Sequence, residues 1–206
     1  MTALWERLHH DEKHRLSYPS EHVVRWVAGL GAGAGRSALD IGCGHGRHME
    51  VFSRYWFVPT GCDVALYNQS THFSYGAISS YGEMTALPYA DESFDVALAF
   101  GVFYYGTHQD HLQAIFELYR VLKPGGKALV VTRTFRDSRA KTGEWVDVHT
   151  ERMTEGDEAG MLINFMAEED IDVSYGMFSS VSYELTETTR NGREWRDSDW
   201  LIKVTK

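Results

Sequence analysis

The sequence predicts one α/β domain, a mostly parallel sheet with helices on both faces. Three observations carry this expectation. Short apolar runs alternate with segments of helical spacing between residues 36 and 133. The glycine-rich turn "GCGHG" joins the first of those runs to a helix. Asn191-Gly192 lies between two alternating strands, a strong hairpin signal that ends the sheet in an antiparallel pair.

The elements follow in order. Residues 1–30 read as helical, and in "SEHVVRWVAGL" Ser20 can cap a helix whose apolar face holds Val23, Val24, Trp26, Val27 and Leu30. Gly29 and Gly31 stop it, and "GLGAGAGR" reads as the turn into the first strand. "SALDI" is strand, "RHMEVFSRYW" helix and "FVPTGCD" strand. A helix-poor stretch, "VALYNQSTHFSYG", precedes a short strand in "AISSYGE". "FDVALAF" reads as a buried strand. "HQDHLQAIFELYRVL" has helical spacing at Leu112, Ile115, Phe116, Tyr119 and Leu122, and "KPGG" ends it. "KALVVTRT" is again strand. Residues 135–166 are polar and irregular, "AEEDIDVSYG" can form a short helix, and the hairpin closes the chain.

Bulk properties bound the function. With 206 residues there is room for one full core. The formal net charge of -9 argues against a duplex-binding surface, so no nucleic-acid partner is expected. No apolar run approaches a membrane span, and "MTALWERLHHDEKHRL" has charges where a signal peptide needs an apolar core. Cys43 and Cys62 form no disulfide framework and read as small packing residues. The expectation is a cytoplasmic protein without membrane association, a monomer or homodimer.

The glycine turn carries the chemistry. A strand-to-helix turn at the carboxyl edge of a parallel sheet is where α/β proteins bind ligands. Glycines there allow close backbone approach and positive φ. The spacing is G-x-G-x-G, unlike the G-x-G-x-x-G of dinucleotide folds. Asp63 ends the second strand, where an acid can accept from both hydroxyls of a ribose or else cap the next segment. Glu83 follows the third strand and can accept an adenine amino hydrogen, or stay a solvated loop acid.

In these residues the chain resembles the class I S-adenosylmethionine-dependent methyltransferases. The matching segments are "ALDIGCGHGRH", "GCD", "GEMTALPYADESFD", "ALAFGVFYY" and "LYRVLKPGGKALVVT", in family order over residues 36–133. The resemblance implies a Rossmann-like seven-stranded sheet of order 3-2-1-4-5-7-6, with strand 7 antiparallel. It divides one domain into an N-terminal helical lid (1–35), a cofactor-binding core (36–134), a substrate-covering insertion and helix (135–177) and a closing hairpin (178–206). It implies S-adenosylmethionine as cofactor and S-adenosylhomocysteine as product. Asp40 with Gly42, Cys43 and Gly44 would surround the methionine part, and Asp63 would hold the ribose. Glu83, Met84 and Thr85 would line the adenine, and Phe100 and Gly101 would close near the sulfonium.

Methyl transfer from a sulfonium needs alignment more than acid, since a neutral thioether leaves. A base is needed only for a protonated acceptor. The chain has "FGVFYYG" where amide- and nucleobase-methylating members carry an Asn/Asp-Pro-Pro-aromatic clamp. Tyr105 and His108 are the candidate catalytic residues. Tyr18, Tyr104, Arg133, Trp145 and His149 are the candidate substrate residues, with Phe165 as further lining, and Tyr18 or Trp5 can supply the aromatic of a leading segment that lids the cofactor. The bland alternatives are rim aromatics for the tyrosines and a surface salt bridge for Arg133. His45 and His48 read as helix-start residues, and no metal is expected. The leading reading is methyl transfer to O or N of a small molecule. The alternatives are a non-catalytic scaffold and a nicotinamide-dependent oxidoreductase.

Overall fold

The computed structural model describes Trp5 and residues 16–65 and 78–206. Seven strands form one sheet: β1 (Ser37–Ile41), β2 (Val58–Asp63), β3 (Ile78–Tyr81), β4 (Phe94–Phe100), β5 (Leu122–Arg133), β9 (Ser180–Arg190) and β10 (Trp195–Thr205). Their spatial order is β3-β2-β1-β4-β5-β10-β9. The first five run parallel, while β10 is antiparallel to both β5 and β9. This is the order the resemblance implied, with β9 and β10 as its strands 6 and 7.

Burial on both faces follows from period-two alternation of apolar side chains. In β4, Ala97 and Ala99 face one core cluster and Val96 and Leu98 the other. In β5, Ala128 and Val130 split from Leu129 and Val131 in the same way. Helices α1 (Glu21–Leu30) and α2 (Met49–Arg54) cover the second face. Ser20 caps α1 by accepting from the His22 amide. Helices α3 (His108–Val121) and α4 (Glu168–Ser174) cover the first.

The buried stripe of α3 differs from the expected one. It holds His111, Ala114, Ile115, Glu117, Leu118 and Val121, while Leu112 is 40% exposed and Phe116 51%. Two polar residues turn the helix. His111 Nδ1 sits 3.0 Å from the Phe103 carbonyl, and Glu117 accepts from the Leu87 amide at 2.7 Å. Apolar spacing alone overlooks polar side chains with specific inward partners.

Three further differences concern boundaries. The helix before "KPGG" stops at Val121, and Lys123–Gly126 is absorbed as an irregularity at the start of β5, where pairing jumps from Phe94↔Leu122 to Val96↔Lys127. The Asn-Gly turn is not a two-residue loop. Asn191–Arg193 form a short 3-10 turn with positive φ at all three residues, and the ladder resumes at Trp195↔Arg190. The stretch 135–166, expected irregular, contains a small antiparallel sheet of β6 (Glu144–Trp145), β7 (Thr150–Arg152) and β8 (Leu162–Asn164). Strands of two or three residues are too short to show alternation. Bridges Tyr105↔Ile163 and Thr134↔Met166 join this insertion to the main fold, and Trp200 Nε1 donates to the Met166 carbonyl at 3.0 Å. The helix-poor stretch after Asp63 falls mostly on 66–77, outside the described residues.

Candidate active site

A cavity of about 500 Å³ opens at the carboxyl ends of β1, β2 and β4. Gly42, Cys43, Gly44, Asp63, Glu83, Met84, Thr85, Phe100 and Gly101 all line it. Parallel strands place these separate sequence segments at one edge, which is why motifs 60 residues apart in the chain, about the distance from Gly42 to Val102, meet there.

The glycine turn has two kinds of constraint. Gly42 has φ +69, and a Cβ there would lie 2.8 Å from Val102 Cβ. Gly44 has φ +50 and open space where a side chain would project. So Gly42 lets two loops approach each other, and Gly44 leaves room in the cavity.

Asp63 ties the turn to β2. Its Oδ2 accepts from the Gly44 amide and its Oδ1 from the Ala65 amide, both at 2.9 Å. Burial raises its pKa, and these amides oppose the rise. Each oxygen has another lone pair for a hydroxyl donor. Glu83, on the outer rim, accepts from Tyr81 at 3.0 Å.

Asp40 lies beneath the turn rather than in the cavity wall. It is buried, and its Oδ2 has no partner among the described residues. Burial pushes its pKa up to about 8, with Arg47 opposing. Burial favours the neutral form of such a carboxyl, and a neighbouring cation favours the charged form. Cys43 and Cys62 are both buried free thiols, with pKa values pushed up mainly by burial.

Tyr104 and Tyr105, after β4, are buried in the wall. Neither hydroxyl is idle. Tyr105 donates to Glu158 Oε1 at 2.7 Å, and Tyr104 accepts from Arg133 Nη2 at 3.1 Å. Arg133 lies over the Tyr104 ring at 4.4 Å and pairs with Glu158 at 3.1 Å. Arg139 reaches the other oxygen of Glu158 at 2.7 Å. Arg133 is thus a buried support behind the tyrosines and not a surface ion pair.

Other candidate residues lie elsewhere. His108 is outside the cavity lining, stacked on His149 at 4.1 Å, with His149 Nε2 2.9 Å from Asp170. Phe165 is buried in the insertion's own core, and Trp145 is 49% exposed. The Tyr18 ring is 86% exposed, and its carbonyl accepts from Arg47. From the N-terminal segment Trp5 and Leu16 line the cavity instead, with Trp5 edge-on to Tyr105 at 4.5 Å. Arg47, His48, Val102 and Glu158 were not read as site residues. Arg47 stood in view within "GHGRH"; Glu158, in an irregular acidic loop, carried no local signal.

Residues 39–130 match the family model described as a methyltransferase domain. A human protein named probable tRNA methyltransferase 9B is 34% identical over 47% of this chain, which spans 21% of that protein. A demethylmenaquinone methyltransferase of Renibacterium salmoninarum is 33% identical over 52% of this chain and 46% of its own length. The chain therefore spans between a fifth and a half of these relatives. Among solved structures, a possible histamine N-methyltransferase of Thermotoga maritima superposes with TM-score 0.67 at 20% identity, covering all of both chains. A 1,6-didemethyltoxoflavin-N1-methyltransferase of Burkholderia thailandensis, with S-adenosylhomocysteine bound, gives TM-score 0.67 at 13% identity over 100% of this chain and 87% of its own. Because a tRNA methyltransferase stands among the relatives, acidic net charge does not exclude a nucleic-acid partner. No helix of the described residues is long and apolar enough to cross a membrane. The ordered turn, strand-end acids and sheet order agree with the matched methyltransferase domain over residues 39–130, and the solved structures share its fold.

Proposed function

We propose that this chain transfers a methyl group from S-adenosylmethionine to an oxygen or nitrogen of a small molecule. One observation carries the reading: the glycine turn, Asp63 and Glu83 border one cavity in the order that methionine, ribose and adenine need. The cavity fits that cofactor on its own terms. Gly44 leaves open space, Asp63 retains acceptor capacity, and the orphaned buried carboxyl of Asp40 lies under the turn, where a nearby cation would favour its ionised form.

The bound cofactor supplies an electrophilic methyl on a positively charged sulfur. The chain's residues do the rest. Asp63 and the turn fix the nucleoside end, and Phe100 and Gly101 border the methyl-bearing end. Aromatic faces of Trp5, Phe100, Tyr104 and Tyr105 exclude water and favour a cation beside them. Their crowding around a cavity of about 500 Å³ supports a small acceptor. Tyr105 serves there as a positioning residue, since its hydroxyl already donates to Glu158. A cytoplasmic place of action completes the proposal.

A second reading, a tRNA acceptor, draws on the relatives' names alone. The matched segment is the cofactor-binding half, which is shared regardless of acceptor. Calorimetric titration with S-adenosylhomocysteine, with NADH in parallel, tests the cofactor. Micromolar binding of the first and none of the second is expected. No binding of the first would favour a non-catalytic scaffold, and binding of NADH an oxidoreductase. Transfer of labelled methyl to bulk tRNA would favour the second reading.

A further inference from the structure

Resting on the methyl-transfer reading above, we propose that the acceptor group is a carboxylate, held by Arg47 and methylated on oxygen to an ester. Arg47 is the only lysine or arginine among the described cavity residues. Its Nη1 donates to the Tyr18 carbonyl at 3.1 Å, and its guanidinium lies 5.5 Å from the Phe100 ring centre. Among the described residues no carboxylate lies within ion-pair distance of it. Asp40 is coupled to it electrostatically but forms no ion pair with it, and burial pushes the Asp40 pKa up to about 8. Among the described residues, then, this cation, half-withdrawn from water at the β4 end of the cavity, has no ion-paired carboxylate.

Among the described residues the cavity also lacks an idle base. Asp63 accepts from two amides, and Asp110 accepts from the Thr107 amide and hydroxyl in a capping box. Tyr105 donates to Glu158, and Tyr104 accepts from Arg133. His48 Nε2 accepts from the Ser20 amide, and burial lowers its pKa to about 3. Glu83 is taken by Tyr81 at the far rim, and His45 has an interaction of its own. A phenol, with a pKa of about 10, or an alkylamine arrives protonated and needs a base. A carboxylate, with a pKa of about 4, arrives ionised.

The step balances without proton transfer. A lone pair of the carboxylate oxygen forms the new C–O bond as the methyl's C–S bond breaks. The C–S electron pair stays on sulfur. Anion and sulfonium cation become two neutral products, an ester and a thioether. Arg47 orients the acceptor through one oxygen and leaves the other to attack.

The test uses the whole chain saturated with S-adenosylhomocysteine and titrated calorimetrically with benzoate, benzamide and benzylamine. Benzoate should bind at least about tenfold tighter than either neutral or cationic analogue. Arg47→Gln should weaken benzoate about ten- to hundredfold with S-adenosylhomocysteine affinity kept, and Arg47→Lys should restore part. Labelled methyl transferred to benzoate should be released as volatile methanol by mild alkali. Equal binding of benzoate and benzamide overturns the proposal. So does an Arg47→Gln variant that loses S-adenosylhomocysteine, because the arginine would then serve the cofactor's own carboxylate. Alkali-stable label on phenol or benzylamine overturns it too. Absence of S-adenosylhomocysteine binding to the unmodified chain defeats the methyl-transfer reading itself, and is seen before any acceptor is added.

Discussion

Replacing Asp40 with Asn should change how stability depends on pH. Asp40 is buried beneath the glycine turn with an unpartnered Oδ2, and its pKa in the folded state is about 8 against an ordinary 3.8. Between those values the folded chain binds a proton that the unfolded chain has released. Stability therefore falls as pH rises through the window and levels off above about 8. Each unit is worth about 1.4 kcal/mol, so between about pH 5 and pH 8 the loss from this group is on the order of 4 kcal/mol. Asn has nearly the same shape and cannot ionise. Asp199 also has a raised pKa, mainly from burial, but it is present in both proteins and cancels in the difference, while Asp63 is coupled to Asp40 and shifts with it. Urea unfolding of both forms at pH 5, 6, 7 and 8 is the assay, with unchanged m-values as the check on two-state behaviour. The Asn variant should gain on the original as pH rises. Parallel stability curves would refute the claim that a buried neutral carboxyl supports this turn.

Asp63→Ala should abolish binding of S-adenosylhomocysteine in calorimetry and leave the Gly44 amide unpaired, at about 1–3 kcal/mol of stability; unchanged affinity would remove Asp63 from the ribose role. Glu158→Ala strands the Arg133 guanidinium, which is only 8% exposed, and should cost about 3–5 kcal/mol in denaturant unfolding; a loss below about 1 kcal/mol would mean that Tyr104 and Asp137 suffice for Arg133. Gly42→Ala meets both positive φ and Val102, and should destabilise by about 1–3 kcal/mol. Gly44→Ala meets only positive φ, so thermal melts should separate the pair, while its methyl points into the cavity and should weaken the cofactor more than it weakens the fold.

Most of the fold was legible because its signals are local and repeated. Continuous apolar runs such as "FDVALAF" mark strands buried on two faces, and Ser20 marks a helix start. The strand order came through the resemblance, since periodicity does not say which strands are neighbours. The cofactor side was legible for the same reason: its residues sit at strand ends, and strand ends can be read. The acceptor side was not. Tyr105, Glu158 and Arg133 lie far apart in the chain, and no spacing rule links a loop acid to a strand arginine. The buried stripe of α3 was misread because His111 and Glu117 count as polar in any pattern, while their inward hydrogen bonds depend on tertiary contacts. The insertion's three strands escaped because two or three residues hold no period.

The strand order has a consequence for synthesis. Strand β9 touches the sheet only through β10, which follows it in the chain and lies between it and β5. A ribosome therefore delivers β9 before its docking partner exists. Until residues 195–205 emerge, the outer edge of β5 offers unpaired amides and carbonyls beside apolar Leu129, Val130 and Val131, a template for pairing between nascent chains. β9 can therefore join the sheet only with β10 or after it, making its docking a late event in folding. Pulsed hydrogen exchange during refolding reads this order directly, since amides of β9 should gain protection no earlier than those of β10; protection of β9 ahead of β10 would contradict it.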